Sequence, residues 1–344
     1  MKPVKRAPSI LVVGSSCTDM VIRVDRLPRV GETVLGGEFA STAGGKGANQ
    51  AVGAARAGGT VTFIGCIGRD EFGDKAVAGL TADGINMEHT VRNPNAPSGV
   101  ALIFVGPEGQ NSIAVAPGSN SKLTPVDLKQ ARKAFTSASV LLLQLETPLM
   151  TVEAAAEIAS EAGTKIILNP APAQKLPTSL LQRLFLITPN ETEAELLTGV
   201  QVKDPAGAAK AASVLLSKGI QNVIITMGSA GAYVANNETG EMVAGFKVNA
   251  IDTVAAGDVF NGALAVALAE GKSLLESTRF ANAAAAVAVT RHGAQDSAPK
   301  REEIEQILAS GKSDYVGSND GFSGNGHLAK SSIKSTLSSE AYAK

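Results

Sequence analysis

Short apolar runs of strand length alternate along this chain with stretches of helical periodicity, and that rhythm leaves few folds open. The runs are ILVVG at 10–14, VTFIG at 61–65, SVLLL at 139–143, KIIL at 165–168, LFLI at 184–187 and NVIIT at 222–226. Helical spacing falls between them, at 47–57, 72–83, 125–134, 149–162, 191–198 and 205–217. A strand with no polar side must be covered on both faces, and strand–helix–strand repeats supply the cover. The pattern therefore predicts an α/β protein with three layers, helices on both sides of a mostly parallel central sheet. A chain of 344 residues, 44% of them hydrophobic, can bury such a core.

Four segments break the rhythm: DMVIRV at 19–24, ETVLGGEF at 32–39, GVALIFV at 99–105 and NSIAVAP at 111–117. They alternate, or pair across turns such as GPEGQ at 106–110, and read as a small separate sheet, with its strands within about 17–43 and 97–117. Inserted after the first strand, such a sheet is placed to cover a site at the strand ends as a lid. The folded domain is expected over 9–310. Beyond it, 311–344 turns to Gly, Ser, Lys and Asn and reads as a disordered tail.

Several function classes lose support. A net charge of −1 from 31 basic and 32 acidic residues argues against a nucleic-acid surface. Cys17 and Cys66, with His89, His292 and His327, lack the number and spacing of a zinc site, and the thiols read as reduced and cytoplasmic. The start has too few apolar residues before Gly14 for a signal-peptide core or a membrane span. The two GKS tripeptides carry Val266 and Gln306 where a P-loop needs its first glycine, and Gln50 stands where a dinucleotide fingerprint needs its third.

What remains chemically loaded is NAIDTVAAGDVFNGALA at 249–265. Ala-Ala-Gly-Asp ahead of an alanine-rich run predicts a sharp turn into a helix, with the N–H groups of Ala255, Ala256, Gly257 and Asp258 aimed outward as an anion site. A carboxylate is a poor neighbour for a phosphate unless it does chemistry, so Asp258 reads either as a proton acceptor or as an ordinary first-turn acid. A second glycine-rich segment, STAGGKGANQA at 41–51, brings Gly45, Lys46, Gly47, Ala48 and Asn49 together, a loop suited to close approach of a polyhydroxylated ligand. A third, PNETEAELLTG at 189–199, spaces Asn190 and Glu193 for one face of a helix start, either toward phosphate and hydrated magnesium or as a helix cap.

Together with QLE at 144–146, NPAPA at 169–173, ITMGSAG at 225–231 and VTRHGAQDS at 289–297, these segments resemble the ribokinase branch of the phosphofructokinase-B sugar kinases, from about Ser9 to Leu308. The resemblance implies a ribokinase-like fold with a lid that often pairs between subunits, hence a homodimer. It places Cys17, Thr18, Asp19, Gly45 to Asn49, Glu146 and Asp258 at the sugar. It puts Asn190, Thr226, Met227, Gly228, Ser229, Ala230, Gly231, Gly257 and Asn282 at ATP, with Glu193 acting on Mg²⁺ indirectly. It also implies a potassium site made by Asp252, Val254, Ala288, Arg291, Gly293 and Ser297. Two positions depart from the pattern: Cys17 replaces a common Asn, and Asp296 a common Pro.

The activity implied is ATP-dependent phosphorylation of the D-ribose 5-hydroxyl, with Asp258 as base and the Ala255–Asp258 amides holding the developing charge. Partners are then the sugar and ATP, with no nucleic acid or membrane. A kinase for another sugar or a nucleoside shares the fold; a nucleoside calls for an aromatic platform, whereas aromatic content is 4% with no Trp. A non-catalytic sugar sensor is the alternative from another class.

Overall fold

The computed structural model describes residues 8–310 except 108 and 109. The chain runs β1 (Ser9–Val13), β2 (Cys17–Arg23), β3 (Glu38–Gly44), α1 (Lys46–Arg56), β4 (Thr60–Ile64), β5 (Cys66–Gly68), α2 (Glu71–Ala82), β6 (Val91–Asn93), β7 (Gly99–Val105) and β8 (Asn111–Ala116). It continues through α3 (Pro125–Gln130), α4 (Arg132–Ser137), β9 (Val140–Leu143), α5 (Leu149–Ala162), β10 (Lys165–Leu168), α6 (Thr178–Leu181), β11 (Leu186–Ile187), α7 (Glu191–Thr198) and α8 (Pro205–Ser217). The rest holds β12 (Asn222–Thr226), β13 (Gly231–Asn236), β14 (Gly240–Ala244), α9 (Ala256–Ala269), α10 (Leu274–Ala288) and α11 (Arg301–Ser310).

The central sheet has eight strands in the order β14-β13-β12-β11-β10-β9-β1-β4. From β12 to β4 every pairing is parallel, and β13 and β14 close the other edge antiparallel. Alternate residues of β1 serve opposite faces: Ile10 and Val12 pack with α1, α9 and α10, while Leu11 and Val13 pack with α4, α5 and α8. Those two apolar layers make the three-layer architecture. A second sheet, β3-β2-β7-β8, stands apart from it.

The observed elements correct several expectations. The strand expected at 32–39 starts at Glu38, because Gly36 and Gly37 adopt φ of 103° and 108°, which leaves the preceding residues as loop with Leu35 at 92% exposure. The helix expected over 125–134 is broken at Ala131 (φ −92°, ψ 14°) into α3 and α4. LFLI contributes only Leu186–Ile187 as strand. The β13–β14 hairpin, the short β5–β6 pair and α11 escaped the periodicity, as elements this short or this mixed do. The tail at 311–344 lies outside the described residues.

The contact that positions the chemistry is between α1 and α9. Their backbones meet at Gly53 and Gly262: a Cβ on Gly262 would stand 2.6 Å from both the Ala54 nitrogen and the Gln50 carbonyl oxygen, and one on Gly53 3.2 Å from the Val259 Cα. Only glycine permits that approach. Gly262→Ala should lower stability by about 1–3 kcal/mol despite alanine's better helix propensity, because backbone atoms rather than flexible side chains must give way. Denaturant unfolding of the variant beside the parent measures it; an unchanged midpoint would show that the two helices separate freely.

Candidate active site

Polar side chains gather where the parallel strands end at their carboxyl edge, the usual location of ligand sites in open α/β sheets. β1 leads to Ser15–Asp19, β9 to Gln144–Glu146, β10 to Asn169, β11 to Thr188–Asn190 and β12 to Thr226–Gly231, and α1 and α9 start at the same edge.

Asp258 sits in the first turn of α9, 6% exposed. Its Oδ2 accepts from Asn49 Nδ2 and its Oδ1 from Gln50 Nε2, both at 3.0 Å. Burial raises its pKa above the ordinary carboxylate range, against the opposing pull of Lys46 and the two amides. Ahead of it, Ala255 is the N-cap at φ 57°, alone among the described non-glycine residues in being left-handed. That conformation costs an alanine about 1–2 kcal/mol, and it is what turns the chain sharply into the helix. No protein acceptor among the described residues takes the N–H of Gly257 or Asp258, and a Cβ on Gly257 would meet open space. The Ala256 N–H, by contrast, already donates to the Thr253 carbonyl. Of the four amides the sequence suggested, Ala256 is therefore spent within the protein, and Ala255, Gly257 and Asp258 have no protein acceptor among the described residues.

Asp19 and Cys17 share one face of β2, and Thr18 alternates to the other, away from them. The Asp19 carboxyl lies over Gly44, where a Cβ would come within 2.2 Å of Oδ2. Burial, with Glu146 and Asp258 adding repulsion, pushes Asp19 up to about 6 although Lys46 pulls it down. The Cys17 Sγ accepts from Asn120 Nδ2 at 3.3 Å, and burial, Glu146 and Asp19 push the thiol up to about 12. Glu146 accepts through Oε2 from the Lys46 N–H at 2.9 Å and from the Ser15 hydroxyl, so it tethers the start of α1 as well as facing the cleft. Lys46 is the cation among these groups: burial would lower it, but Asp258, Glu146, Glu193 and Asp19 together hold it above its ordinary value.

The remaining glycine-loop residues make close contacts within the protein. Gly45 has φ 90°, and a Cβ there would lie 2.7 Å from the Cys17 nitrogen; one on Gly47 would lie 2.6 Å from the Ser15 nitrogen. Ala48 is fully buried and donates its N–H to the Ser15 carbonyl. These residues seat α1 against the β1–β2 connection; the close backbone approach is to protein.

Asn190 is the N-cap of α7 in a capping box: its Oδ1 accepts from the Glu193 N–H at 2.8 Å and Glu193 Oε2 accepts from the Asn190 N–H at 2.9 Å. A bridge between Asn190 and Thr226 sets that helix start beside the turn after β12. There Gly228–Ala230 form a 3-10 turn, Gly228 has φ 52°, and the Met227 N–H donates to the carbonyl of Gly231, the first residue of β13. Asn282, on α10, donates to the carbonyls of Val243 and Ala244 at 3.0 and 3.2 Å, leaving its Oδ1 as the group open to a ligand.

The cation-loop residues also come together. Asp252 accepts from the Val254 N–H at 3.0 Å and the Gly293 N–H at 3.1 Å, stitching the segment before α9 to the one after α10. Ala288 and Ser297 are buried; the Ala288 carbonyl accepts from the Arg291 N–H, and the Ser297 hydroxyl donates to the Ala294 carbonyl at 2.9 Å. Among the described residues no cluster of His, Cys, Asp or Glu side chains could hold a metal, so a cation here would rest mainly on carbonyl and hydroxyl oxygens. No described helix is long and apolar enough to cross a membrane.

Residues that sequence reasoning passed over include Gln50, Gln144, Asn169, Thr188 and Asn261, all buried behind Asp258. Their signal was a polar side chain inside an apolar run, as in LLLQL and VFNGALA.

The profile of the pfkB family carbohydrate kinases matches residues 7–301, and the chain belongs to that family. A ribokinase of Haemophilus influenzae is 47% identical over 300 residues, 87% of this chain and 98% of the relative. A deoxyribokinase of Salmonella typhi is 37% identical over 301 residues, 87% of this chain and 98% of its own length. Among solved structures, an Arabidopsis thaliana ribokinase complexed with ribose and ATP aligns with a TM-score of 0.84 at 32% identity, over 88% of this chain and 99% of that one. A Thermotoga maritima ribokinase aligns at 0.80 and 41% identity, with coverages of 88% and 99%.

Asp19→Asn should raise the stability of the ligand-free protein at neutral pH. The raised Asp19 carboxyl binds its proton more tightly folded than unfolded, so native stability declines as pH rises from about 4 to about 6 and stays reduced above that. Asparagine removes that dependence. Thermal unfolding at several pH values should show the variant's advantage at neutral pH and its disappearance below about pH 4; a pH-independent difference would show that Asp19 is not under charge strain.

Proposed function

We propose that this chain transfers the γ-phosphoryl group of ATP to the 5-hydroxyl of D-ribose, giving D-ribose 5-phosphate and ADP. The observation that carries the reading is Asp258: a buried carboxylate, held by two amide donors, beside two outward backbone N–H groups at a helix start. At that place one group can accept a hydroxyl proton while its neighbours receive negative charge on the transferring phosphoryl oxygens.

On the sugar side, Asp19 offers an acceptor for hydroxyls. Asn49 Oδ1 is buried without a partner in the protein, and a sugar hydroxyl would supply the donor it lacks. Lys46 balances the carboxylates, and Glu146 faces the same space. Cys17 forms the wall beside Asp19 with a thiol, a weak hydrogen-bonding group. That favours 2-deoxyribose as the first alternative sugar to assay. The four-stranded second sheet carries Asp19 on one strand and acts as the lid. On the same face its register lines up Val21, Ile103 and Ile113, and Ile113 and Val115 are 54% and 55% exposed, an apolar surface for a second copy and hence a homodimer.

On the nucleotide side, Asn190, Thr226, Met227, Gly228, Ser229, Ala230 and Gly231 form one continuous rim, with Gly257 facing the phosphates and Asn282 the base. Glu193 fits a hydrated Mg²⁺: Oε2 is used for its capping bond, which leaves Oε1 as the acceptor for metal-bound water. Magnesium, when bound with ATP, neutralises the triphosphate. The loops joined by Asp252 present hard oxygen donors, as potassium requires, from Val254, Ala288, Arg291, Gly293 and Ser297. Potassium there supplies positive charge near the head of α9. The two thiols are free and buried, in keeping with a reducing cytoplasm.

ATP turnover with D-ribose tests the reading directly. Asp258→Asn should cut turnover by about 10²–10⁴-fold while ATP still binds; a variant near parental activity removes the assigned base. Replacing potassium by sodium or Tris should lower activity several-fold, a coupling of about 1–3 kcal/mol, and Ser297→Ala should blunt that response more than it weakens ribose binding. Equal rates in ion-checked buffers would delete the potassium site and leave the kinase reading standing.

A further inference from the structure

Behind Asp258 runs a hydrogen-bonded circuit that returns to its own helix. Gln50 Nε2 donates to Asp258 Oδ1 at 3.0 Å and to Asn169 Oδ1 at 3.1 Å, and Gln50 Oε1 accepts from Gln144 Nε2 at 2.6 Å. Asn169 Nδ2 donates to the Thr188 carbonyl at 3.1 Å, and the Thr188 hydroxyl donates to Asn261 Oδ1 at 2.6 Å. Asn261 Nδ2 donates to the Gly257 carbonyl at 2.7 Å, one residue before Asp258. All five side chains are between 0% and 7% exposed.

The direction of every bond follows from two backbone carbonyls. A carbonyl only accepts, so Thr188 fixes the Asn169 amide with its nitrogen outward and its oxygen toward Gln50. That oxygen demands a donor, so Gln50 must turn its nitrogen to Asn169 and Asp258 and its oxygen to Gln144. The Gly257 carbonyl orients Asn261 in the same way, which makes the Thr188 hydroxyl the donor between them. Burying so many amides has no advantage over apolar packing unless their geometry matters, since each unpartnered group carries a penalty, as Gln144 Oε1 does here.

We propose that Gln50 is a positioning residue for the reaction: its amide, oriented through Asn169 and locked by Gln144, presents only a donor to Asp258 Oδ1, as Asn49 does to Oδ2, so the carboxylate is held in its proton-accepting form and in one orientation. The circuit also ties the carboxylate to the Gly257 peptide, so that the base and the phosphoryl-facing amides keep one mutual geometry. This rests on Asp258 as the base. The charged groups around the carboxylate are Lys46 from α1, Glu146 after β9, Asp19 from β2 and Glu193 from α7. None of these is in the circuit.

The test is the pH dependence of kcat at saturating ribose and ATP for Gln50→Met, Gln144→Met and Asp258→Asn. Without the Gln50 donor the ionised form of Asp258 loses a hydrogen bond, so the acid limb should move up by about 1–2 pH units, while ribose KM changes less than about threefold. Gln144→Met leaves Gln50 Oε1 buried without its donor, which loosens the amide's hold on Asp258, and should move the limb in the same direction by a smaller amount. A fall in kcat or stability with the acid limb unmoved would make Gln50 a structural residue and overturn the proposal. If Gln50→Met does not fold, Gln144→Met decides by the same criterion. Asp258→Asn separates the two levels: parental activity there defeats the base itself, whereas an inactive variant with an unmoved limb in the glutamine variants defeats only this inference.

Discussion

Everything at the site depends on how closely α1 approaches α9. Gly53 and Gly262 bring the two backbones together, and that contact sets Asn49 and Gln50 of one helix against Asp258 of the other. Both helices also begin at the carboxyl edge of the sheet, so their positive ends point into the same space. The start of α1 is filled by protein, with Glu146 and Ser15 accepting its first N–H groups. At the start of α9 the N–H groups of Gly257 and Asp258 take no acceptor among the described residues. Two helix termini of the same kind thus have opposite uses, decided by which acceptors the neighbouring loops supply.

The second organising feature is a surplus of negative charge. Asp19, Glu146, Glu193 and Asp258 surround Lys46, and burial raises three of those acids above their usual range. An arrangement like this costs the unliganded fold stability. It is tolerable where hydroxyl groups, a cation or a proton relieve it, as a polyhydroxylated ligand would. Strain at Ala255 belongs to the same pattern, an unfavourable local state kept because it aims the amides that follow.

Much of the fold was legible because its signals are local. Fully apolar runs announced buried parallel strands, and β10, β12, α5, α7 and α8 lie where their periodicity put them. The four-stranded sheet was legible as a break in rhythm, though Gly36 and Gly37 shifted β3 by several residues. The β13–β14 hairpin was not, since its alternation is masked by small residues such as Gly231, Ala232 and Ala235. At the site, Asp258 and Asn49 stood out by type and company. Gln50 and Gln144 did not, because a glutamine in an apolar run has no meaning until its partners are known.

The sequence by itself determined the class of fold, the family and the list of residues with chemistry to offer, since these follow from periodicity and motif. Tertiary structure alone decided their surroundings. Gly45 and Gly47 approach the backbone of the β1–β2 connection, Ala48 lies in the core and Thr18 on the far face of its strand. Asn49 and Asp258, 209 residues apart along the chain, share a hydrogen bond. The reason is physical: propensity and patterning act over a few residues, whereas a hydrogen-bond partner or a displaced pKa is a property of distances across the fold, which exist only once the helices and strands have packed.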